Sequence, residues 1–434
     1  MAEDMDYIVT RAERAEEDPP SDNGSEDARV REREQVSEDC EELIKALSDY
    51  ADGLTATREE TACARKLRDV LSPVARTRME AFRTSPYAGR NCCGLLGFVY
   101  VLAAFFYFVS FGGSRETGII LVLVALGVFL AGGALAGAAF LGAKKLVPFI
   151  YPKKVSYNVF SESAPAKDGQ QGRVVLIASN HDAAPGSYFV NFALVRKVVF
   201  IVVPVSAALF ILFCVVKLIV GSDTVSKISS LTTLPFVNAV AGIVALFLHF
   251  SPFQRHAREN NGFSTAVSVA VYRKLLASPE LLPEGTRVCF VSFGGENSAH
   301  AGSRAFAAAH PDIKGGKALV FGDIESDRIA LLRRDALRGT EFSPSAQDAL
   351  FDAVDATGVP CLMPPCDGVK SKLGALHGYA ATALAEAGCE CAFFTAKDYS
   401  SAGGDLKRED AGKLAALALG TVVGMAWKGE EKDG

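Results

Sequence analysis

Four apolar stretches, roughly Cys93–Phe111, Gly118–Ala143, Val198–Val220 and Leu234–Phe250, approach or exceed the roughly 20 residues that a helix needs to cross a hydrocarbon core. They come in two pairs, joined by the short connectors GGSRETG and SDTVSKISSLTT, and so predict two helical hairpins that return the chain to the side it left. No Asp, Glu or Arg lies inside them. Lys217 and His249 fall near span ends, from which such side chains reach the interface. A transport pathway is not expected, because ionisable groups in mid-membrane are its usual mark. Basic residues gather on one side of the hairpins, at Arg83, Arg90, Lys144, Lys145, Lys153, Lys154, Arg196, Lys197, Arg255 and Arg258, while the connectors hold little beyond Arg115 and Lys227. By the positive-inside rule this predicts a multi-pass cell-membrane protein in the lipid bilayer, with its N-terminus and soluble mass cytoplasmic.

The hairpins explain why 49% of the 434 residues are hydrophobic, a high share for a soluble chain. The net charge is only −5, and the one concentrated charge is acidic, in residues 1–39. That run is too polar to bury a core and predicts a disordered tail. No basic patch suggests a nucleic-acid partner. None of the ten cysteines has zinc-knuckle spacing: Cys92 and Cys93 are adjacent, and one residue separates Cys389 from Cys391. Cys214 and Cys289 sit in apolar runs, and no signal peptide precedes them, which favours a reducing compartment.

Outside the hairpins the pattern alternates strand and helix. Thr57 and Glu60, in TREE, form a capping box that opens an amphipathic helix over Thr57–Leu71. RVVLIAS (Arg173–Ser179), RVCFVSF (Arg287–Phe293), KALVFGDI (Lys317–Ile324) and CECAFFTA read as strands buried on both faces. Helices are expected at Phe263–Leu276, in LHGYAATALAEAG, and in KREDAGKLAALALGTVVGMAW, with another opening after the strand end FVSFGGEN. This order predicts an α/β fold with a central sheet covered by helices on both faces.

Five stretches carry a resemblance: LTATREETACARKLRDVL followed by MEAFRTSPYAG, then YPKKVSYNVF, VVLIASNHDAA, ENNGFSTAVSVA and FVSFGGENSAHAGSRAF. In order and spacing, from about Asp52 to Trp427, they resemble the M28 family of zinc aminopeptidases. The nearer likeness is to its membrane-embedded bacterial branch, in which hairpins interrupt the peptidase domain. The resemblance implies an M28-type domain with a central mixed β-sheet flanked by helices. It divides the chain into the tail 1–39, a first part of the domain at 40–91, one transmembrane hairpin at 92–143, the first strands at 144–197, a second hairpin at 198–250 and the remainder at 251–434.

The family holds two zinc ions with two histidines and three carboxylates, and a glutamate deprotonates the bridging water. Carried over residue by residue, the ligand histidine falls on Asn180 and its orienting carboxylate on Asp182. The bridging carboxylate falls on Asn260, followed by Asn261. The general base falls on Glu296 and the ligand after it on Asn297. Asp323 matches a ligand that is kept, and no histidine follows His377 to supply the last. Four of the five implied ligand positions are substituted, and neutral amides are poor zinc donors. Without the cation, Glu296 has no activated water. His181 and Glu259 lie one position from lost ligands, but neighbouring strand side chains point to opposite faces. His300 and His377 read as loop and helix histidines rather than ligands.

These substitutions favour a pseudopeptidase that binds a peptide or protein partner without two-zinc hydrolysis, with no cofactor. An active metallo-aminopeptidase, holding zinc through Asp323, Asp182 and a shifted donor such as His181 or Glu259, stands as an alternative. So does a membrane scaffold that assembles through the small-residue run LAGGALAGAAFLGA.

Overall fold

The computed structural model describes residues 36–47, 49–50, 53–86, 92–140, 153–163, 173–183, 193–221, 229–249, 262–298, 300–324, 329–335, 339–362, 379–396 and 409–428. The chain forms two compact units: 1–84, 154–184 and 259–434 make the first, 85–153 and 185–258 the second.

In the first unit, eight strands form one mixed sheet in the order β1-β2-β4-β3-β5-β8-β6-β7. They are β1 (Arg76–Thr84), β2 (Lys154–Glu162), β3 (Val174–Asn180), β4 (Arg287–Phe293), β5 (Lys317–Ile324), β6 (Ile329–Leu331), β7 (Cys361–Leu362) and β8 (Glu390–Ala396). The middle four, β4-β3-β5-β8, run parallel; β1, β2 and β6 pair antiparallel to their inner neighbours. Parallel strands are covered on both faces, and the side chains alternate accordingly. Val175, Ile177, Phe290, Leu319, Phe321 and Phe394 pack on one face, while Leu176, Ala178, Val291, Val320 and Phe393 pack on the other. The four strands legible in the sequence are these central ones. Edge strand β1 was not, because RTRMEAFRT carries a charge at every other position or so, a common protection for an exposed edge.

The first face is covered by α1 (36–47), α2 (Arg58–Leu71), α7 (Gly262–Ala277), α9 (Pro344–Thr357) and α11 (Glu409–Trp427); α8 (Ala301–Ala309) and α10 (Tyr379–Glu386) cover the second. Helix α1 begins inside the stretch expected to be tail. Its Val36, Cys40, Leu43 and Leu47 are buried at helical spacing, and Asp39 pairs with Arg273 of α7 at 2.8 Å.

The second unit contains α3 (Cys92–Val109), α4 (Arg115–Phe140), α5 (Ala193–Val220) and α6 (Ser229–His249). Two of the four expected spans, within α4 and α5, are long and apolar enough to cross a membrane; the apolar segments Leu96–Val109 and Thr232–Val244 are shorter. Tyr100, Ala103, Tyr107, Ala125, Phe210 and Ala239 are buried, while Phe98, Phe105, Leu123, Ile201, Leu212 and Phe236 are exposed. Tyr100, Ser206 and Asn238 link α3, α5 and α6 by hydrogen bonds, with Tyr100 Oη 2.7 Å from Ser206 Oγ and 3.1 Å from Asn238 Nδ2. Gly132, in the small-residue run, lies against Val99, where a Cβ would collide. Lys217 does not reach an interface as the sequence suggested. It is 2% exposed, donates to Tyr107 O at 3.3 Å and to Ser110 Oγ, and stands over the Phe111 ring.

Candidate functional site

Strand β3 is where the chain changes direction in the sheet: the crossover through α7 leads to β4 on one side, and the crossover through α8 leads from β4 to β5 on the other. Such a switch point leaves a crevice beyond the carboxyl ends of the strands. Asn180, His181 and Asp182 lie at the end of β3, Glu296 and Asn297 just past β4, and Asp323 near the end of β5. Asn260, Asn261 and Glu259, with His377 and the segment after Ala396, lie outside the described residues.

Asp182 is fully buried. Its Oδ2 accepts from Thr55 Oγ1 at 2.7 Å, from the Asn297 backbone N–H at 3.0 Å and from Asn297 Nδ2 at 3.3 Å. Asn297 Nδ2 also reaches the Asp182 carbonyl, at 3.2 Å. Both of those atoms only accept, so the Asn297 amide is fixed as a donor. Burial pushes the Asp182 carboxyl up to about 6, against the pull of its donors.

Glu296 also accepts rather than waits. Its Oε1 takes the Ser303 N–H at 2.6 Å, the third residue of α8, and its Oε2 lies 3.2 Å from His300 Nδ1. A carboxylate here satisfies an orphan donor and faces the positive end of the helix dipole. His300, at φ 56°, sits in the left-handed region immediately before α8. His300 is a loop histidine, as the sequence suggested, and its Nδ1 faces the Glu296 carboxylate four residues before it.

Glu60 is a third buried carboxylate, and the sequence showed only its capping role. Half of that capping box forms: Thr57 Oγ1 accepts the Glu60 N–H at 3.3 Å. The Glu60 side chain instead takes the Ala56 N–H at 2.6 Å through Oε2, and through Oε1 accepts from Ser156 Oγ at 2.7 Å and Gly295 N at 3.0 Å. Burial first, then the Asp182 charge, push it up to about 8. Gly294 permits this approach, since a Cβ there would lie 2.6 Å from Glu60 Oε1 and 2.5 Å from Tyr157 O. Asn158, two residues along β2 from Ser156, donates to Gly302 O at 2.9 Å and accepts from Gly294 N at 3.2 Å. The spacing Ser156–Asn158 in a strand was the available signal, two polar side chains on one face.

Elsewhere in the crevice, His181 Nδ1 lies 3.0 Å from Ser292 Oγ on β4, and burial lowers the imidazole to about 4. His181 Nε2 and Asn180 Oδ1 are buried with no hydrogen-bond partner among the described residues. On β5, a register shift between Phe321 and Ile324 sets Asp323, whose carbonyl accepts from Thr395 Oγ1 at 2.6 Å. Two zinc ions need converging charged or imidazole donors. The described residues do not fit that need: Asn180 and Asn297 offer neutral amide oxygens where the resemblance implies an imidazole and a carboxylate.

No family model and no curated protein matches the sequence. The chain is similar in structure to a glutaminyl cyclase from Fimbriiglobus ruber, at 11% identity over 90% of this chain and 95% of that one, with a TM-score of 0.46. It is similar to an aminopeptidase from Aneurinibacillus sp. strain AM-1, at 12% identity over 91% and 96% with a TM-score of 0.45. It is likewise similar to a zinc aminopeptidase from Bacillus subtilis, at 10% identity over 89% and 94% with a TM-score of 0.47.

Proposed function

We propose that this chain is a membrane-integral, M28-like pseudopeptidase, whose peptidase-like domain binds a peptide or protein partner without two-zinc hydrolysis. The observation that carries the reading is the engagement of Glu296. The position that resembles the family's general base spends one oxygen on the Ser303 N–H and the other on His300. Asn297, at a ligand position, brings a neutral amide whose Nδ2 donates to Asp182. Asn180 and Asn260 supply neutral amides at two more ligand positions, and Asp323 alone keeps a ligand type. A relocated site would draw on His181 or Glu259, of which His181 is 1% exposed with its Nδ1 3.0 Å from Ser292 Oγ.

Membrane integration belongs to the same proposal. Apart from Tyr50, Val74, Val155 and Trp427, every exposed large apolar side chain among the described residues lies in the helical unit. That distribution suits four helices surrounded by hydrocarbon, with the basic flanks holding the sheet-containing unit in the cytoplasm.

The test is elemental analysis of the protein purified in detergent, paired with aminopeptidase assays on wild type and Glu296→Gln. We expect well under one equivalent of zinc and no turnover that distinguishes the two proteins. Close to two equivalents, with turnover abolished by Glu296→Gln, would show a working enzyme.

A further inference from the structure

Exposed large apolar side chains are few in the sheet-containing unit, and one of the four, Val74, lies in a hollow. Val74 lines a cavity of about 580 Å³ at the end of the sheet where β1 and β4 begin. This end is opposite to the strand ends that carry Asp182 and Glu296. Leu275, Leu276, Leu282 and Val288 complete its apolar wall. Trp427, at the end of α11 and 44% exposed, donates its indole N–H at 2.9 Å to the carbonyl of Leu281, which lies in sequence between the lining residues Glu280 and Leu282. The volume is within the range of about 300–1,000 Å³ in which proteins bury ligand groups.

Charge at the mouth has one sign. Glu280 and Glu284 line the cavity, both are exposed, and neither makes an ion pair among the described residues. The described lining holds no Lys, Arg or His. Arg287, the next basic residue along the loop, has its guanidinium committed to Asp312 and to Glu162. An apolar hollow with two exposed carboxylates at its rim is complementary to a group that is apolar at its tip and cationic at its flank. An exposed Trp adds an aromatic face on which a cation can rest.

We propose that this cavity is a docking site for a segment of a partner protein in which an aliphatic or aromatic side chain is flanked by Lys or Arg. The apolar side chain enters between Val74, Leu276 and Leu282, and the cations pair with Glu280 and Glu284. The site goes beyond the reading of the strand-end crevice and works without it, since none of its residues belongs to that crevice.

The experiment titrates the full-length protein in uncharged detergent micelles with a fluorescein-labelled peptide containing Lys-Leu-Phe-Arg, following anisotropy and the emission of Trp427, the only tryptophan. A peptide with Glu in place of both basic residues and empty micelles are the controls. We expect saturable binding of the basic peptide alone, with a shift in Trp427 emission. The double variant Glu280→Gln, Glu284→Gln should weaken it about tenfold, two exposed ion pairs being worth up to about fivefold each. Val74→Asp should weaken it at least as much, with unchanged far-UV circular dichroism certifying the fold of both variants. Equal binding of the two peptides, no saturation below about 1 mM, or unchanged affinity in both folded variants would overturn the site. Zinc content and peptidase turnover do not enter this readout, so its failure leaves the pseudopeptidase reading standing, and the reverse also holds.

Discussion

Glu60 gives the sharpest test of how the strand-end crevice is held together. Its carboxyl rises from an ordinary value of 4.5 to about 8, because burial and the nearby Asp182 charge outweigh its three hydrogen-bond donors. An acid whose folded value lies above its unfolded one is bound to its proton more tightly by the native state. Stability is therefore fully present below 4.5 and is lost as pH rises toward 8. Two other groups confuse the acidic half of that window. Asp182 titrates near 6, and His181, lowered to about 4 from 6.5, adds stability as pH rises through the same region. Between pH 6.5 and 8 only Glu60 among these three still differs between states. The expected loss there is about 1.4 kcal/mol per pH unit, or about 2 kcal/mol across the window. Glu60→Gln should remove that slope. It should also cost about 1–3 kcal/mol at every pH, because an amide cannot accept from Ala56, Ser156 and Gly295 together. Urea titrations in detergent at pH 6.5 and 8.0, followed by Trp427 fluorescence, separate the two effects. A wild-type stability that is flat or rising across the window, or a slope that survives in Glu60→Gln, would refute the reasoning.

Two further outcomes follow from the same geometry. Asn297→Asp removes both amide hydrogen bonds to Asp182 and puts a second carboxylate against it, so it should cost about 2–4 kcal/mol at pH 8, more than Asn297→Ala and less at pH 5. An Asp variant as stable as the Ala variant in urea at pH 8 would contradict the role given to the amide. For the helical unit, glycosylation acceptor loops inserted at Gly113 and in the 222–228 connector should both be modified on translation into microsomes, whereas one inserted in 164–172 should not. Modification of only one connector would eliminate the four-span arrangement.

The legible part of this fold was its buried middle. β3, β4, β5 and β8 are apolar on both faces and were found within a residue of their ends, as was α7. Strands β1 and β2 were not, because their charged and hydroxyl side chains serve an edge and a loop rather than a core. Helix α1 was hidden by composition: its four buried residues keep helical spacing, but the acidic run before them dominates any window that includes it. In the candidate site, the positions of Asp182, Glu296 and Asn297 were readable, and what they bond to was not. Glu60 shows why. Its local role, capping α2, is written in four residues, whereas Ser156 and Gly295 come to it from 96 and 235 positions away.

Those long-range bonds also bear on how the buried carboxylates at the strand ends are accommodated. Buried carboxylates must be neutralised or surrounded by donors. Here both devices operate. Glu60 and Asp182 are pushed toward their protonated forms, and the turn Gly294–Asn297 delivers backbone N–H groups to both, while Glu296 turns back to the start of α8. The turn is a junction that ties α2, β2, β3 and α8 together through its backbone N–H groups and the Glu296 carboxylate.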